Sequence, residues 1–312
     1  MKRRDVLKVL GTSLLALSAT SSMGKLFAQA ANDASGAAAV GAGEAFPDVV
    51  WVENGEPEQL LIAALKEIGG MSRFISKGDT VVVKPNIGWD RTVEQAANTN
   101  PDLVAAIVKE CLNAGAAKVR IFDRTCNNPQ RCYGNSGIQE KAEALGAEVT
   151  HIDNDRFTMI PLKKGQILKE WPIYQDYLDA TKVINVPIAK HHGMAKVTLG
   201  MKNLMGVMGG TRGDIHNSFA DKIVDITSEI LPALTIIDAY RILMNHGPQG
   251  GTAEDVKLTK TLIMSHCTVA ADHAALPLFG LTPDDVEYVK NAAKRGLNKV
   301  AIDKMNMKRI NL

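Results

Sequence analysis

Aromatic residues are scarce in this chain: Phe, Trp and Tyr make up 5% of its 312 residues, while Ala, Val, Ile and Leu are abundant. That balance argues against a β-sandwich and for helices packed on a mainly parallel sheet. Cysteine is scarce too, with four residues. Their spacings match no ferredoxin pattern, which makes an iron–sulfur cluster a less favoured cofactor than a divalent metal. Several signatures are missing outright. No Gly-Lys-Ser/Thr follows a four-residue gap as in a P-loop, and there is neither a His-Glu-x-x-His zinc motif nor a Gly-x-Ser-x-Gly nucleophile elbow. Beyond residue 30 no apolar run reaches the roughly 18 residues of a membrane-spanning helix, so no stable membrane insertion is expected after processing.

What the sequence does have begins at Arg3 and Arg4. They stand in Lys2-Arg3-Arg4-Asp5-Val6-Leu7-Lys8, ahead of an apolar stretch from Val9 to Ala19 and the small-residue site Ala28-Gln29-Ala30. A basic segment, a short apolar core and an A-x-A end mark an export signal, and the paired arginines assign it to the twin-arginine route. Residues 1–30 are therefore expected to be a signal peptide read by the twin-arginine export machinery, with a periplasmic or otherwise exported product. Lys2, Arg3, Arg4, Lys8 and Lys25 against Asp5 put +4 in that leader, so the rest of a chain with net charge +2 carries −2. No basic footprint for nucleic acid remains. Residues 31–47 are Ala/Gly-rich and read as a flexible linker. Residues 48–312 suit one α/β domain.

Along that domain, helices and strands alternate. Pro57 opens a helix with Leu61, Leu65 and Ile68 on one face and Gly69-Gly70 at its end. Thr80 to Val83 is a strand ending at Lys84-Pro85-Asn86. Asn100-Pro101 caps a helix with Leu103, Ile107 and Cys111 inward. A strand from Val119 to Phe122 closes at Asp123, followed by a helix at Ile138 to Leu145 and a strand at Glu148 to His151. Residues 154–179 are irregular and read as a hairpin excursion. Strands follow at Lys182 to Val186, Leu234 to Ile237 and Thr261 to Met264. A helix carries Phe219, Ile223, Ile226 and Ile230, and a last one runs from the Thr282-Pro283-Asp284-Asp285 cap to Gly296. The pattern predicts a three-layer α/β fold, a mostly parallel sheet with helices on both faces.

Polar and ionisable groups follow the strands: Lys84 and Asn86, Asp123, then Lys190 with His191 and His192, Asp238, and Ser265 with His266. Ligands of open parallel sheets bind beyond the carboxyl ends of the strands. Lys84, Lys190 and Lys202 offer ammonium groups, and Asn86, Asn203 and Thr198 offer neutral donors. Gly206 permits close backbone approach, and Thr211-Arg212 adds a hydroxyl and a fork donor. The set suits a small anionic ligand, carboxylate or phosphate. His192 and His216, with Asp238 or Asp272, are candidate acid–base groups or metal ligands. Cys126 and Cys132 flank a polar loop and could close a small disulfide; the alternative is two free thiols.

At these residues the chain resembles the bacterial and archaeal domain of unknown function 362. The resemblance runs through Val83-Lys84-Pro85-Asn86, Thr99-Asn100-Pro101, Pro187 to His192 and Val197-Thr198. It continues through Met201-Lys202-Asn203-Leu204-Met205-Gly206, His216, Ile237-Asp238, Gly247-Pro248 to Gly250 and Ala270-Ala271-Asp272. Ile188 and Ala189 depart from the Lys-Leu usual there. The resemblance implies a site among these motifs from about residue 50 onward. Members of that family are often uncharacterised; some are fused to ferredoxin-like modules and others carry twin-arginine signals. That implies, as the alternative to an anion-binding enzyme, a redox-accessory protein serving an envelope electron-transfer partner.

Overall fold

The computed structural model describes residues 46–298 and 302–312. The twin-arginine segment and nearly all of the Ala/Gly linker lie outside the described residues. In chain order the elements are β1 (Val49–Glu53), α1 (Pro57–Ile68), β2 (Thr80–Pro85), α2 (Pro101–Asn113), β3 (Lys118–Ile121), α3 (Pro129–Asn135), α4 (Ile138–Glu143) and β4 (Glu148–Val149). Then come β5 (Phe157–Pro161), β6 (Glu170–Tyr174), α5 (Gln175–Leu178), β7 (Lys182–Val186), β8 (Ile188–His192), β9 (Lys196–Thr198) and α6 (Gly200–Asn203). The chain finishes through α7 (Phe219–Thr227), β10 (Leu234–Leu243), β11 (Val256–Ser265), α8 (Thr268–Ala275), α9 (Glu287–Lys294) and β12 (Met307–Asn311).

Local chemistry explains the boundaries. Asn100 accepts a hydrogen bond from the Asp102 amide and Pro101 occupies the first helical position, so α2 starts where its orphan donors are met. Gly69, at φ +93°, ends α1 in the left-handed region. The main sheet has the order β12-β1-β11-β10-β7-β2-β3-β4, with β5 and β6 in the separate hairpin expected of residues 154–179. All neighbours pair in parallel except β1 with β11 and β10 with β11; β8 pairs in parallel with β10 and carries β9 antiparallel. The sheet is mostly parallel and the fold is α/β.

Successive strand residues face opposite sides, and both sides are covered. Val82, Phe122 and Ile237 belong to one apolar core, packed with Ile223, Val269 and Val289 of α7, α8 and α9. Val81, Val83 and Ile236 belong to the other, with Leu61, Ile107 and Ile138 of α1, α2 and α4. Among the described residues no helix is long and apolar enough to cross a membrane.

Three differences from the sequence reading matter for the site. Pro187 does not simply end a strand: it separates β7 from β8, which moves Lys190 to His192 onto the far stretch of β10. Strand β10 runs on to Leu243, which leaves Asp238 in mid-strand. Strand β11 is antiparallel to β10, with Ser265 opposite Thr235, so Ser265 and His266 sit at the other rim. Cys126 and Cys132 are free thiols, because Cys132 is buried inside α3 while Cys126 is exposed in the preceding loop.

One polar anchor outside the site holds the periphery together. Buried Asp225 accepts from the amides of Gln166, Ile167 and Leu168 at 2.8 Å each and pairs with Arg295 at 2.7 Å. Burial pushes its carboxyl up, but the three amides and the guanidinium prevail and hold it below the usual carboxylate range. Its stabilisation is therefore present above pH 4, near the unfolded value, and is lost as pH falls through the lower folded value. Asp225→Ala is expected to cost about 3–5 kcal/mol in urea unfolding at pH 7, and the difference from the parent chain should narrow below pH 4.

Candidate functional site

A cavity of about 460 Å³ opens at the carboxyl ends of β2, β3 and β8. Beneath it lies a closed polar network. Lys84, at the end of β2, is fully buried and pairs with Asp123, just past β3, at 2.8 Å. Its other hydrogens go to the Pro85 carbonyl at 2.8 Å and Asn203 Oδ1 at 3.3 Å. The second Asp123 oxygen accepts from the Ile87 amide at 2.6 Å. Asn203 Nδ2 donates to the Lys84 carbonyl and to Asn185 Oδ1, while its Oδ1 also accepts from Asn86 Nδ2. An ammonium has three hydrogens to give. Lys84 thus meets three protein oxygens and, unlike Lys190 and Lys202, is not part of the cavity lining.

Gly206 is required by that floor. A Cβ there would stand 1.7 Å from Asp123 Oδ1 and 2.5 Å from Lys84 Nζ. The close approach expected of this glycine is thus to the buried ion pair, beside the cavity it lines.

The other two lysines differ from Lys84. Lys190 Nζ donates to the Ala97 carbonyl at 2.5 Å and Asn86 Oδ1 at 3.3 Å, and stands 5.8 Å from the Trp89 ring centroid. One hydrogen remains for the cavity. Among the described residues Lys202 has no oxygen partner: its Nζ meets the Met205 sulfur at 3.6 Å and lies 5.4 Å from the Phe219 ring centroid, although the residue is only 9% exposed. Burial pushes Lys190 down to about 7 and Lys202 to about 8. Thr198 Oγ1, buried in the same wall, makes no hydrogen bond to the protein.

Two arginines complete the wall. Arg124 Nη1 donates to the carbonyls of Met208 and Gly210, at 2.9 and 3.0 Å. Arg212 donates to those of Arg124 and Thr125, at 2.8 and 3.0 Å. The cavity lining thus holds Lys190, Lys202, Arg124 and Arg212 against one carboxylate, Asp123, which is already paired.

The histidines line the cavity as expected, but their roles shift. His192 Nδ1 accepts from the amides of Met194 and Ala195, both at 3.2 Å. A ring that accepts at Nδ1 carries its proton at Nε2 and acts as a donor. Burial, with Lys202 and Lys190 nearby, pushes it down to about 3, so it stays neutral. His216 stacks on Phe219 and holds the Gly213 carbonyl at 3.2 Å; burial and Lys202 lower its affinity for a proton as well. Among the groups that line the cavity, Lys190 is the one that burial brings to about 7.

Asp238 and Asp272 are not brought to the cavity. Asp238 accepts from the amides of Asn100 and Tyr240, tying α2 to β10, and burial raises it to about 6. Asp272 accepts from the amides of Gly200 and Met201 and so seats the start of α6; burial raises it to about 7. Both carboxylates spend their oxygens on backbone. Among the described residues no group of three or more His, Cys, Asp or Glu side chains is placed to hold a metal ion.

The sequence reading did not single out Trp89, Arg124, Met205 or Cys126 as cavity residues. Arg124 and Cys126 follow β3 directly, so the strand-end rule that found Asp123 reaches them when extended by three residues. Nothing in the sequence points to Trp89, which the loop from Asn86 to Asn100 brings back.

Gly206→Ala is expected to destabilise the protein by at least about 1–3 kcal/mol. Gly213→Ala, in the same lining but with nothing within 4 Å of its Cβ, should leave the urea midpoint unchanged. Lys84→Met should behave as a stability variant, costing about 3–5 kcal/mol because Asp123 is left buried and unpaired. Chemical denaturation of the three variants side by side checks both statements.

A thylakoid-associated protein of Synechocystis sp. (strain ATCC 27184 / PCC 6803 / Kazusa) is similar to this chain, at 26% identity over 254 residues, covering 77% of this chain and 75% of the relative. The lactate racemase apoprotein from Thermoanaerobacterium thermosaccharolyticum is a more distant structural neighbour, with a TM-score of 0.43 and 14% identity. The match covers 68% of this chain, which spans about half the length of that protein, 53%. The motifs around Lys84, Lys190, Lys202 and Asp272 all fall within residues 81–277, which match the family described as a domain of unknown function (DUF362), and the chain belongs to that family.

Proposed function

We propose that this protein binds a small anion, a carboxylate or a phosphate, in the cavity at the strand ends. The observation that carries the reading is Lys202: a buried ammonium whose polar partner among the described residues is a thioether, with a ring face beside it. Burying a charge without a counter-charge is costly. Lys190, with its remaining hydrogen, and Arg212 add positive charge around the same space, and no free carboxylate offsets them. An anion supplies what is missing. Thr198 Oγ1 and His192 Nε2–H add neutral donors suited to its oxygens. Lys190 gives the site a group able to exchange a proton with the bound ligand near pH 7. The twin-arginine leader supports export of the folded chain, which would put this site in the cell envelope.

The pH dependence follows from the lysines. Both are depressed relative to the unfolded value near 10.4, so the unfolded chain holds more protons between pH 7 and 10. The ligand-free protein should gain stability as pH rises through that range. Anion affinity runs the other way: it should be highest below pH 7 and fall in two steps near 7 and 8 as the ammonium groups lose their protons. Titration calorimetry with inorganic phosphate and a series of small carboxylates checks this. Lys202→Met should weaken binding at least about tenfold, the scale set by one charge-assisted contact of about 1.5–3 kcal/mol, and remove the step near 8. An affinity that is flat with pH, or unchanged in Lys202→Met, would sink the reading.

A further inference from the structure

One ionisable group of the cavity remains without a part. Cys126 lines it, its thiol is exposed, and the other three cysteines are buried. The loop that carries it is fixed from several directions. The Cys126 amide donates to the Gly88 carbonyl at 2.8 Å, the Arg124 amide to the Gly206 carbonyl at 2.8 Å, and Arg212 holds the two carbonyls immediately before the cysteine. The sulfur is therefore presented from rigid backbone.

Its surroundings are cationic. Lys84, Lys190 and Lys202 all lie within electrostatic reach of Cys126. Reactive cysteines occupy partly exposed, electropositive settings of this kind, whereas buried thiols are inert. A second, independent feature points to a ligand beside it: the buried Thr198 hydroxyl, unbonded among the described residues, in the same lining as the buried Lys202 ammonium, whose partner is the Met205 thioether.

We propose that Cys126 is the nucleophile of the anion cavity, taking small acids that carry an electrophilic carbon; the proposal rests on the anion-binding reading above. The carboxylate of such a ligand is held by Lys202 with Thr198, and the thiolate attacks the carbon. With an α-halo acid, sulfur and methylene carbon form a thioether while the carbon–halogen bond breaks. The halide leaves with the bonding pair, and the thiol gives up its proton to solvent.

Iodoacetate and iodoacetamide separate this proposal from ordinary thiol exposure, because they differ in charge and share the reacting carbon. Alkylation of the full chain is followed by peptide mass spectrometry, with buried Cys111, Cys132 and Cys267 reporting that the fold is intact. Iodoacetate should label Cys126 at least about tenfold faster than iodoacetamide, as attraction of an anion into a cationic cleft allows. Inorganic phosphate should slow iodoacetate selectively. Lys202→Met should remove the preference while iodoacetamide labelling persists. Cys126→Ser should lose all rapid labelling. Equal or faster labelling by iodoacetamide, or a preference untouched by Lys202→Met, overturns the proposal. If phosphate and the carboxylates bind but the preference is missing, only the nucleophile falls; if nothing binds, the anion-binding reading falls with it.

Discussion

The buried ion pair between Lys84 and Asp123 is the constraint on which the site depends. Lys84 ends one strand and Asp123 follows the next, so their pairing fixes how the two strand ends sit relative to each other. Asn203 then joins that pair to α6 through four hydrogen bonds involving Lys84, Asn86 and Asn185. Gly206 lets the backbone after α6 press directly against both charged groups. Lys84 and Asn203 spend their side-chain hydrogens within this floor. Such a closed network specifies one arrangement because any shift leaves a buried polar atom without a partner.

Above that floor the rule is reversed. Lys202 and Thr198 are buried without the partners their chemistry asks for, and Lys190 is only partly satisfied. Folded proteins leave few buried polar groups unmet, and the exceptions gather where something else is meant to meet them. Lys84, ion-paired and hydrogen-bonded to oxygens, thus differs from Lys202, whose partner is a thioether. His192 shows the same economy. Its Nδ1 is engaged by the turn that follows it, which leaves one defined donor facing the cavity.

Much of the fold was legible because its signals are local. Asn100-Pro101 before an apolar periodicity and Gly69 after one mark helix ends through the backbone groups they satisfy. The alternation of strands and helices was enough to predict a mostly parallel sheet covered on both faces. The site was legible in outline, since Asn86, Lys190, His192, Thr198, Lys202, Asn203, Gly206 and His216 all line one cavity. What the sequence could not convey were the lengths and directions of β10 and β11. An apolar run ending in Ile237-Asp238 looks like a strand end, yet the strand continues because Ala239, Ile242 and Leu243 are also buried. Asp238 and Asp272 resemble catalytic carboxylates in composition, but long-range contacts commit them to amides of Asn100, Gly200 and Met201. Lys84 and Lys202 cannot be told apart in one dimension; their partners are 39 and 3 residues away.

The two arginines have a mechanical corollary. Arg124 donates to the carbonyls of Met208 and Gly210, and Arg212, from that same segment, donates to the carbonyls of Arg124 and Thr125. Each loop thus fastens the other, and the flank they form behaves as one plate. The opposite flank is joined by other means: the Gly193 amide donates to the Gly247 carbonyl at 3.2 Å, the Gly247 amide donates to His191 Nδ1 at 3.1 Å, and Met194, next after Gly193, stands 70% exposed at the rim.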